Sequence, residues 1–441
     1  MSGGTLFDPL LLWLPILIPA ALVALVLLVT SVHFRLAAVA VGALMLLNTS
    51  NKLDLTKLTY MAAFSIAFTI ALFRASRVIR KYPALLAASF VLFCLAVVSF
   101  FISLTHGTSP SNWLRDIAAL LLFATAPVFA LDAEASGSAP TIAAMFAILG
   151  LVAAVGFAGS YGIHDTPDAK ESPVALVTLL LPAALFSYAA ARALTERRNG
   201  IVWSFVGALV LVTLLLSARR SVVAVMLIPG VIAIAAGSSA IKRVFRLALF
   251  GVVGVVLMAI VIGYLSKSLG FSKQKVVARL ATVMMVLNRP KSDQSFQDRA
   301  AETLSVTAAF LQYPVTGVGP GHIFKWKALA GRVRHTWAIV DTPMAIPAKF
   351  GLVGIGFLFI AIAALFAFIR ALTRICGRSA SVLGLIGFLA FLAGRALLGP
   401  PFDDKGMSVG LMFLLALCLI DAREKSRVLG ANELPDPSRT G

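Results

Sequence analysis

Two adjacent arginines interrupt an apolar stretch that is long enough for two membrane spans. Arg219 and Arg220 are the only charged residues in the run 201–237. Arginine near membrane depth is costly, so it usually faces a cavity or a partner rather than lipid. Its planar guanidinium also matches the geometry of phosphate oxygens. The pair therefore predicts an anion-binding position, and ordinary interfacial arginines at a differently placed span end are the alternative.

A strongly basic segment follows, with twelve Lys or Arg against four acids over residues 267–349. Two helices are predicted within it, at about 272–287 and 295–314; Arg279 lies on the first, and Arg299 lies on the polar side of the second. Both arginines are candidates to bind the same anion as the first pair. A solvated helix surface is the alternative, above all for Arg279.

The second of these helices is predicted to be amphipathic. Ser295 followed by Asp298 is typical of a helix start, and Pro314 is expected to end the helix. Between them, apolar residues recur at helical spacing: Phe296, Ala300, Leu304, Ala308 and Leu311.

Candidate proton acceptors lie in the same basic segment. His335 stands in the basic and aromatic stretch Arg332-Val-Arg-His-Thr-Trp337, and an unperturbed histidine titrates near pH 6.5, at about the pH where a general base works best. Asp341 is the alternative base, and a purely structural histidine is the competing interpretation. Farther back in the chain, Arg115 and Asp116 open an earlier apolar run and are interpreted as a local ion pair.

A glycine-rich turn, Pro314-Val-Thr-Gly-Val-Gly-Pro-Gly321, follows the second helix. Gly317 and Gly319 permit positive φ and allow backbone amides to approach a ligand; a plain turn is the alternative. No metal or cofactor is predicted. The three cysteines, Cys94, Cys376 and Cys418, show neither metal-ligand spacing nor a disulfide framework.

The composition excludes a soluble multi-domain protein. Of 441 residues, 60% are hydrophobic and 13% charged, whereas soluble domains have about 45–50% apolar and about 25% charged residues. Neutral stretches such as 247–265 approach the ~20 residues that cross a bilayer core. The net charge of +19 is therefore assigned mainly to Lys and Arg in cytoplasmic loops, and nucleic acid is not expected as a partner.

These patterns predict an all-α polytopic membrane protein with 12 or 13 transmembrane helices. About ten spans lie in residues 1–266, a large loop containing helices covers 267–345, further spans cover 346–421, and a cytoplasmic tail covers 422–441. Short basic connectors follow only odd-numbered spans, so all of them are placed in the cytoplasm. The predicted spans are 9–30, 34–49, 55–73, 84–104, 113–131, 140–159, 173–194, 201–217, 221–238, 247–266, 346–369, 380–398 and 407–421.

Three motifs make the chain resemble the O-antigen ligase and O-antigen polymerase superfamily. Ser217-Ala-Arg-Arg-Ser221 is similar to the family's Ser-Arg-Gly-type hairpin, with Arg220 the better aligned. Arg299 ahead of the turn 314–321 resembles its Arg…Pro-x-x-Gly-x-Gly signature, and Phe350-Gly-Leu-Val-Gly354 its Gly-Leu-x-Gly. The local match covers about 217–221 and 299–354; elsewhere only the architecture agrees.

The family's His-Asn pair is missing. It commonly lies shortly before the Gly-Leu-x-Gly motif, where this chain has Val340-Asp341-Thr342, and His335 lies sixteen residues before Gly351. Lys349 stands where the family frequently has an acid. His335 and Asp341 both remain candidates for the base.

The resemblance implies a multi-pass protein of the bacterial inner membrane whose large loop is periplasmic. It implies metal-independent glycosyl transfer from an undecaprenyl-pyrophosphate-linked glycan, with membrane lipid and other polysaccharide-assembly proteins as partners. Arg220 and Arg299, then Arg279 and Arg219, would bind the pyrophosphate, and Gly317 and Gly319 would shape the turn.

Polymerase activity on a glycan acceptor is favoured over ligase activity on lipid A–core, because the His-Asn pair is absent. A transporter or flippase would instead place charges deep within the spans, where this sequence has almost none. A non-enzymatic scaffold or polysaccharide-binding protein is the remaining alternative.

Overall fold

The computed structural model of the chain describes residues 20–45, 55–162, 178–196, 199–216, 225, 228–236, 294–327, 333–336, 342–396 and 404–432. Within these ranges the chain is almost entirely helical, with one small β-hairpin. The helices are α1 Ala20–Thr30, α2 Val32–Met45, α3 Leu55–Ala75, α4 Pro83–Thr105, α5 Pro110–Ser136, α6 Ala139–Gly162, α7 Leu180–Thr195, α8 Gly200–Leu216, α9 Ile228–Ala236, α10 Gln294–Gln312, α11 Ala345–Cys376, α12 Ala380–Ala396 and α13 Gly406–Asn432.

Six of the described helices are long and apolar enough to cross a membrane, namely α3, α4, α5, α6, α11 and α13. The pair α1 and α2, bent by 115° at Ser31, would make a seventh if it forms one span, and α7, α8 and α12 are shorter apolar helices. The prediction of an all-α polytopic membrane protein is confirmed at this level. The total of 12 or 13 spans stays a prediction, since segments such as 247–266 lie outside the described residues.

Local sequence signals set the ends of the helices that matter for the site. Ser109 caps α5, its Oγ accepting a hydrogen bond from the Asn112 amide at 3.3 Å, and Pro110 occupies the first helical position. At the far end of α11, Gly377 stops the helix with φ of 61°. These caps fix the start of α5 and the end of α11.

The centre of the bundle is built around α7 and the apolar part of α13, whose side chains are almost all buried. Small residues allow the helices to approach closely. A Cβ added at Gly410 would lie 2.6 Å from Ala184 Cβ of α7, and Ser187 Oγ donates a 2.6 Å hydrogen bond to Gly384 O of α12.

Basic side chains from several connectors meet at one end of the bundle. Arg423, near the end of α13, donates to the carbonyl of Glu134 and, at 3.1 Å, to that of Gly137. Lys425 donates to the Cys376 carbonyl at the end of α11, and Lys81 lies 4.0 Å from the Glu134 carboxylate. The basic residues after α3 and in the last part of α13 therefore share one end of the bundle with the end of α11, opposite to the α4–α5 connection.

An unpredicted buried ion pair stabilises the bend between α1 and α2. The Arg35 side chain is fully buried, and its Nε lies 2.7 Å from Asp132 Oδ2 on α5. Its Nη1 also donates to the Leu28 carbonyl at 2.8 Å. Carbonyls that lose their helical partners at the end of α1 are in this way paired within the bundle.

In the predicted loop, the second helix is confirmed as α10, while the first predicted helix, 272–287, lies outside the described residues. A two-stranded antiparallel hairpin, β1 Phe324–Lys327 and β2 Val333–Thr336, was not predicted. The alternation of apolar and polar residues in β1, Phe-Lys-Trp-Lys, is the signal that was overlooked. The last helix, α13, continues to Asn432, beyond the expected span end at residue 421.

Candidate functional site

The structure describes only part of the predicted site. Arg219, Arg220, Arg279 and Asp341 lie outside the described residues. For Arg299, in the first half of α10, and His335, on β2 opposite Lys325, the structure gives the backbone position only. Their predicted roles are thus untested, and the glycine-rich turn is the part of the site whose geometry is defined.

All three glycines of the turn are buried and have positive φ: 69° at Gly317, 82° at Gly319 and 80° at Gly321. A side chain at these positions would meet backbone atoms. An added Cβ would lie 2.7 Å from Ala348 O at Gly317, 2.7 Å from Ser103 Cα at Gly319, and 2.6 Å from Trp113 N at Gly321. Positive φ and close approach both require glycine here.

The turn joins directly to the start of α11 through main-chain hydrogen bonds. The Val318 and Gly319 amides donate to the carbonyls of Ala348 and Lys349 at 2.8 and 2.9 Å. In return, the amides of Leu352 and Val353 donate to the carbonyls of Pro314 and Val315 at 2.9 and 3.1 Å. The two glycine motifs of the sequence, 314–321 and 350–354, therefore form one backbone junction.

Gly351 makes this junction possible. Its φ of 61° breaks the helical path inside α11, and an added Cβ would lie 2.5 Å from Gly317 N. The amide of Gly317 donates to the Tyr313 carbonyl at 2.9 Å. The amides of residues 317, 318 and 319 are thus used within the protein. The glycines can shape the turn, but these amides are not available to a phosphate.

A buried ion pair completes the junction. Lys349 Nζ lies 2.7 Å from Asp116 Oδ1, and these side chains are 6% and 4% exposed. The other carboxylate oxygen of Asp116 accepts a 2.6 Å hydrogen bond from the Gly321 amide. The sequence interpretation, which paired Asp116 with the neighbouring Arg115, did not identify Lys349 as a partner, because only the fold brings the start of α11 to this carboxylate.

Two histidines that sequence reasoning overlooked lie beside the turn. The His106 ring, after α4, is 4.5 Å from the ring of Tyr313, and the His322 ring is 5.1 Å from that of Phe324. Burial, and secondarily the charge of His106, lower the pKa of His322 below its usual 6.5. A half-buried, neutral imidazole is therefore held next to the junction. Its position directly after Gly321 is the sequence feature that could have marked His322 as a candidate site residue.

Among the described residues, no cluster of three His, Cys, Asp or Glu side chains is placed to hold a metal ion. Compared with known protein families and with curated proteins, the sequence matches none of them. The site is thus defined by its own geometry: a rigid glycine junction, a buried ion pair and a neutral histidine at one end of a helical bundle.

Proposed function

We propose that this protein catalyses glycosyl transfer at the periplasmic face of a bacterial inner membrane. The donor is a glycan linked to undecaprenyl pyrophosphate, and the acceptor is a sugar hydroxyl, as in an O-antigen or exopolysaccharide polymerase. The observation that carries the proposal is the backbone junction between segments 314–321 and 350–354. The family resemblance rests on motifs in these same two segments, which are apart in the sequence and meet only in the fold. Arg299 lies on the helix that leads into their junction.

The reaction needs a stabilised leaving group and a base. The acceptor oxygen attacks the anomeric carbon, the bond from that carbon to the pyrophosphate oxygen breaks, and the hydroxyl proton passes to the base. Arg220 and Arg299, with Arg279 and Arg219 as further cations, neutralise the departing undecaprenyl pyrophosphate. Fixed cations next to low-dielectric surroundings act strongly on such developing charge.

Three side chains are candidates for the base. His335 and Asp341 are the candidates from the sequence, and His322 is added by the geometry, because its lowered pKa keeps the imidazole neutral and able to accept a proton. Single replacement by Gln or Asn separates the three. The base is the residue whose loss lowers turnover while donor binding is retained.

The test uses the full chain in proteoliposomes with labelled lipid-linked glycan. Arg220→Ala and Arg299→Ala are each expected to lower product formation by roughly 10²–10³. Arg77→Ala and Arg80→Ala, two exposed arginines at the opposite end of the bundle, serve as matched controls and should leave the rate unchanged. Wild-type rates in both test variants, at equal protein level, would overturn the proposal.

The acceptor and the energy source separate the alternatives. A polymerase extends lipid-linked repeat units, whereas an O-antigen ligase moves the glycan to lipid A–core, so the two acceptors are supplied in parallel reactions. A transporter or flippase would move labelled glycan lipid across the bilayer without forming a new glycosidic bond. Glycosidic product formed without any ion gradient excludes a transporter or flippase as the function.

A further inference from the structure

The extramembrane helix α10 turns apolar side chains away from the protein. Leu304 and Leu311 are 73% and 71% exposed, and Ala300 and Ala308, on the same face, are exposed too. These four residues, here named the α10 stripe, repeat at intervals of four and three and so form one continuous strip along the helix.

The opposite face of α10 packs against the rest of the protein. Val306 is fully buried in a small core with Val318, Phe324 and Ala345, which come from the glycine turn, β1 and the start of α11. Ser305 Oγ also donates a 2.9 Å hydrogen bond to the Lys325 carbonyl. The orientation of α10 is therefore set by packing, and the stripe points outward because the other face is already occupied.

The stripe continues into the apolar surface of a membrane helix. Val315, four residues after Leu311 and just beyond the end of α10, is 57% exposed, and its carbonyl accepts a 3.1 Å hydrogen bond from the amide of Val353 on α11. Leu352 and Val353 are themselves 57% and 39% exposed. They begin a run of exposed apolar side chains down α11 that includes Phe359, Ile360, Ile362 and Phe366.

The length of α11 places this contact at the depth of the membrane boundary. Its unbroken part, residues 352–376 after the break at Gly351, has 25 residues and spans about 38 Å, which exceeds the ~30 Å hydrocarbon core, so its first residues stand at the head-group boundary. Leu352 and Val353 are the first residues of this unbroken part, at the membrane boundary. Tyr313, partly exposed at the end of α10, is a residue type enriched at that boundary.

We propose that α10 is an interfacial helix whose stripe inserts into the membrane leaflet at this end of the bundle. The occupant of the stripe is bilayer lipid, because the stripe is continuous with a surface of α11 that lipid must already cover. Helices of this kind lie in the plane of the interface with the apolar face down and the polar face in water. The proposal does not depend on the glycosyl-transfer chemistry.

The test measures lipid and water contact directly, by spin labelling. In a variant whose three cysteines are replaced, Leu304→Cys and Leu311→Cys are labelled singly with a nitroxide and the protein is reconstituted in phosphatidylethanolamine–phosphatidylglycerol vesicles. Collision rates are measured with oxygen, which concentrates in lipid, and with a water-soluble nickel complex. Both labels are expected to favour oxygen.

Three further positions calibrate the result. Phe359→Cys, 68% exposed in the middle of α11, gives the value for hydrocarbon, and Glu424→Cys, exposed near the end of α13, gives the value for water. Gln312→Cys, a polar exposed position at the border of the stripe, should fall between Leu311 and Glu424.

Two results would overturn the proposal. One is a water-like value at both Leu304 and Leu311. The other is an immobile label that neither reagent reaches, which would mean that other residues of the chain or a second copy cover the stripe. Because the readout is collision frequency and not turnover, a failure of the proposed catalytic function leaves this result unaffected.

Discussion

The ammonium group of Lys349 lies 2.7 Å from the carboxylate of Asp116, and both side chains are almost fully buried. The same carboxylate binds the amide of Gly321 at 2.6 Å. One acid on α5 therefore fixes both the end of the glycine turn and the start of α11. This triple contact explains why the junction can be rigid although its three parts are far apart in sequence.

Removing one partner of this pair should destabilise the protein strongly. Asp116→Asn or Lys349→Met leaves an uncompensated buried charge, which costs about 3–5 kcal/mol. The double variant should lose less unfolding free energy than the sum of the two single losses, because no unpaired charge remains. Thermal unfolding in detergent, followed by the reaction of a thiol dye with the buried Cys376 and Cys418, gives the measurement.

The Arg192–Glu196 pair provides a control for this prediction. Its side chains are 22% and 26% exposed, so the Arg192 left behind in Glu196→Gln still reaches water, and the loss of unfolding free energy should be smaller than in Asp116→Asn. If Asp116→Asn lowers the stability no more than Glu196→Gln does, the buried pair does not hold the junction together.

Alanine at Gly351 should prevent the junction from forming. An added Cβ would crowd Gly317 N at 2.5 Å, and the φ of 61° adds a further 1–3 kcal/mol, approximately, for a residue other than glycine. Gly107→Ala is the control for backbone strain alone, since Gly107 has φ of 70° and an added Cβ would meet nothing within 4 Å. Gly356→Ala is the control for replacing a helical glycine, since an added Cβ there also meets nothing within 4 Å.

The yield of folded, monodisperse protein after detergent extraction tests this prediction. We expect Gly107→Ala and Gly356→Ala to be recovered nearly as well as the wild type, and Gly351→Ala to be largely lost. Equal recovery of all three would contradict the steric argument.

Asp404 should be a stability residue rather than a catalytic one. Its two carboxylate oxygens accept hydrogen bonds from the amides of Leu179, Leu180 and Gly406 at 2.9, 3.1 and 2.8 Å, and from Thr178 Oγ1. It therefore caps the starts of α7 and α13 together. Losing one cap costs about 0.5–2 kcal/mol, so Asp404→Ala, which removes two, should lower the unfolding temperature clearly.

Ser109→Ala is the matched single-cap variant, because Ser109 caps only α5 and is exposed. Its unfolding temperature should fall less than that of Asp404→Ala. If Asp404→Ala unfolds like the wild type yet loses activity, the assignment to capping is wrong.

The pH dependence of turnover should reveal whether His322 acts as the base. Its folded pKa lies below 6.5, so the imidazole is still neutral at a pH where an ordinary histidine is half protonated. The acid limb of kcat/KM should therefore lie below pH 6.5. In His106→Gln the neighbouring positive charge is gone, the pKa of His322 rises, and the limb should move upward.

Rates measured between pH 5 and 8 on both proteins decide the question, with His322→Gln as the reference for loss of the base. An acid limb that stays in place in His106→Gln, together with normal turnover in His322→Gln, would leave His335 and Asp341 as the candidates.

The apolar runs and the local signals of the chain were sufficient to predict the long apolar helices of its described part. In lipid each span must satisfy its own backbone hydrogen bonds, so long neutral runs indicate helices whatever surrounds them. Pro83 and Pro110, at the first positions of α4 and α5, likewise act locally. The role of Gly317 and Gly319 in shaping the turn could also be predicted from the sequence, because the ability to adopt positive φ is a property of glycine itself.

Only the tertiary structure decided which distant groups meet. The partner of Asp116 is 233 residues away along the chain, and Arg35 with Asp132, 97 residues apart, is another such pair; spacing along a sequence carries no information about such contacts. The periodicity of Leu304 and Leu311 predicted a helix correctly but not which way its apolar face points. That direction was set by Val306 packing under the glycine turn, because a helix can bury only one face against the protein.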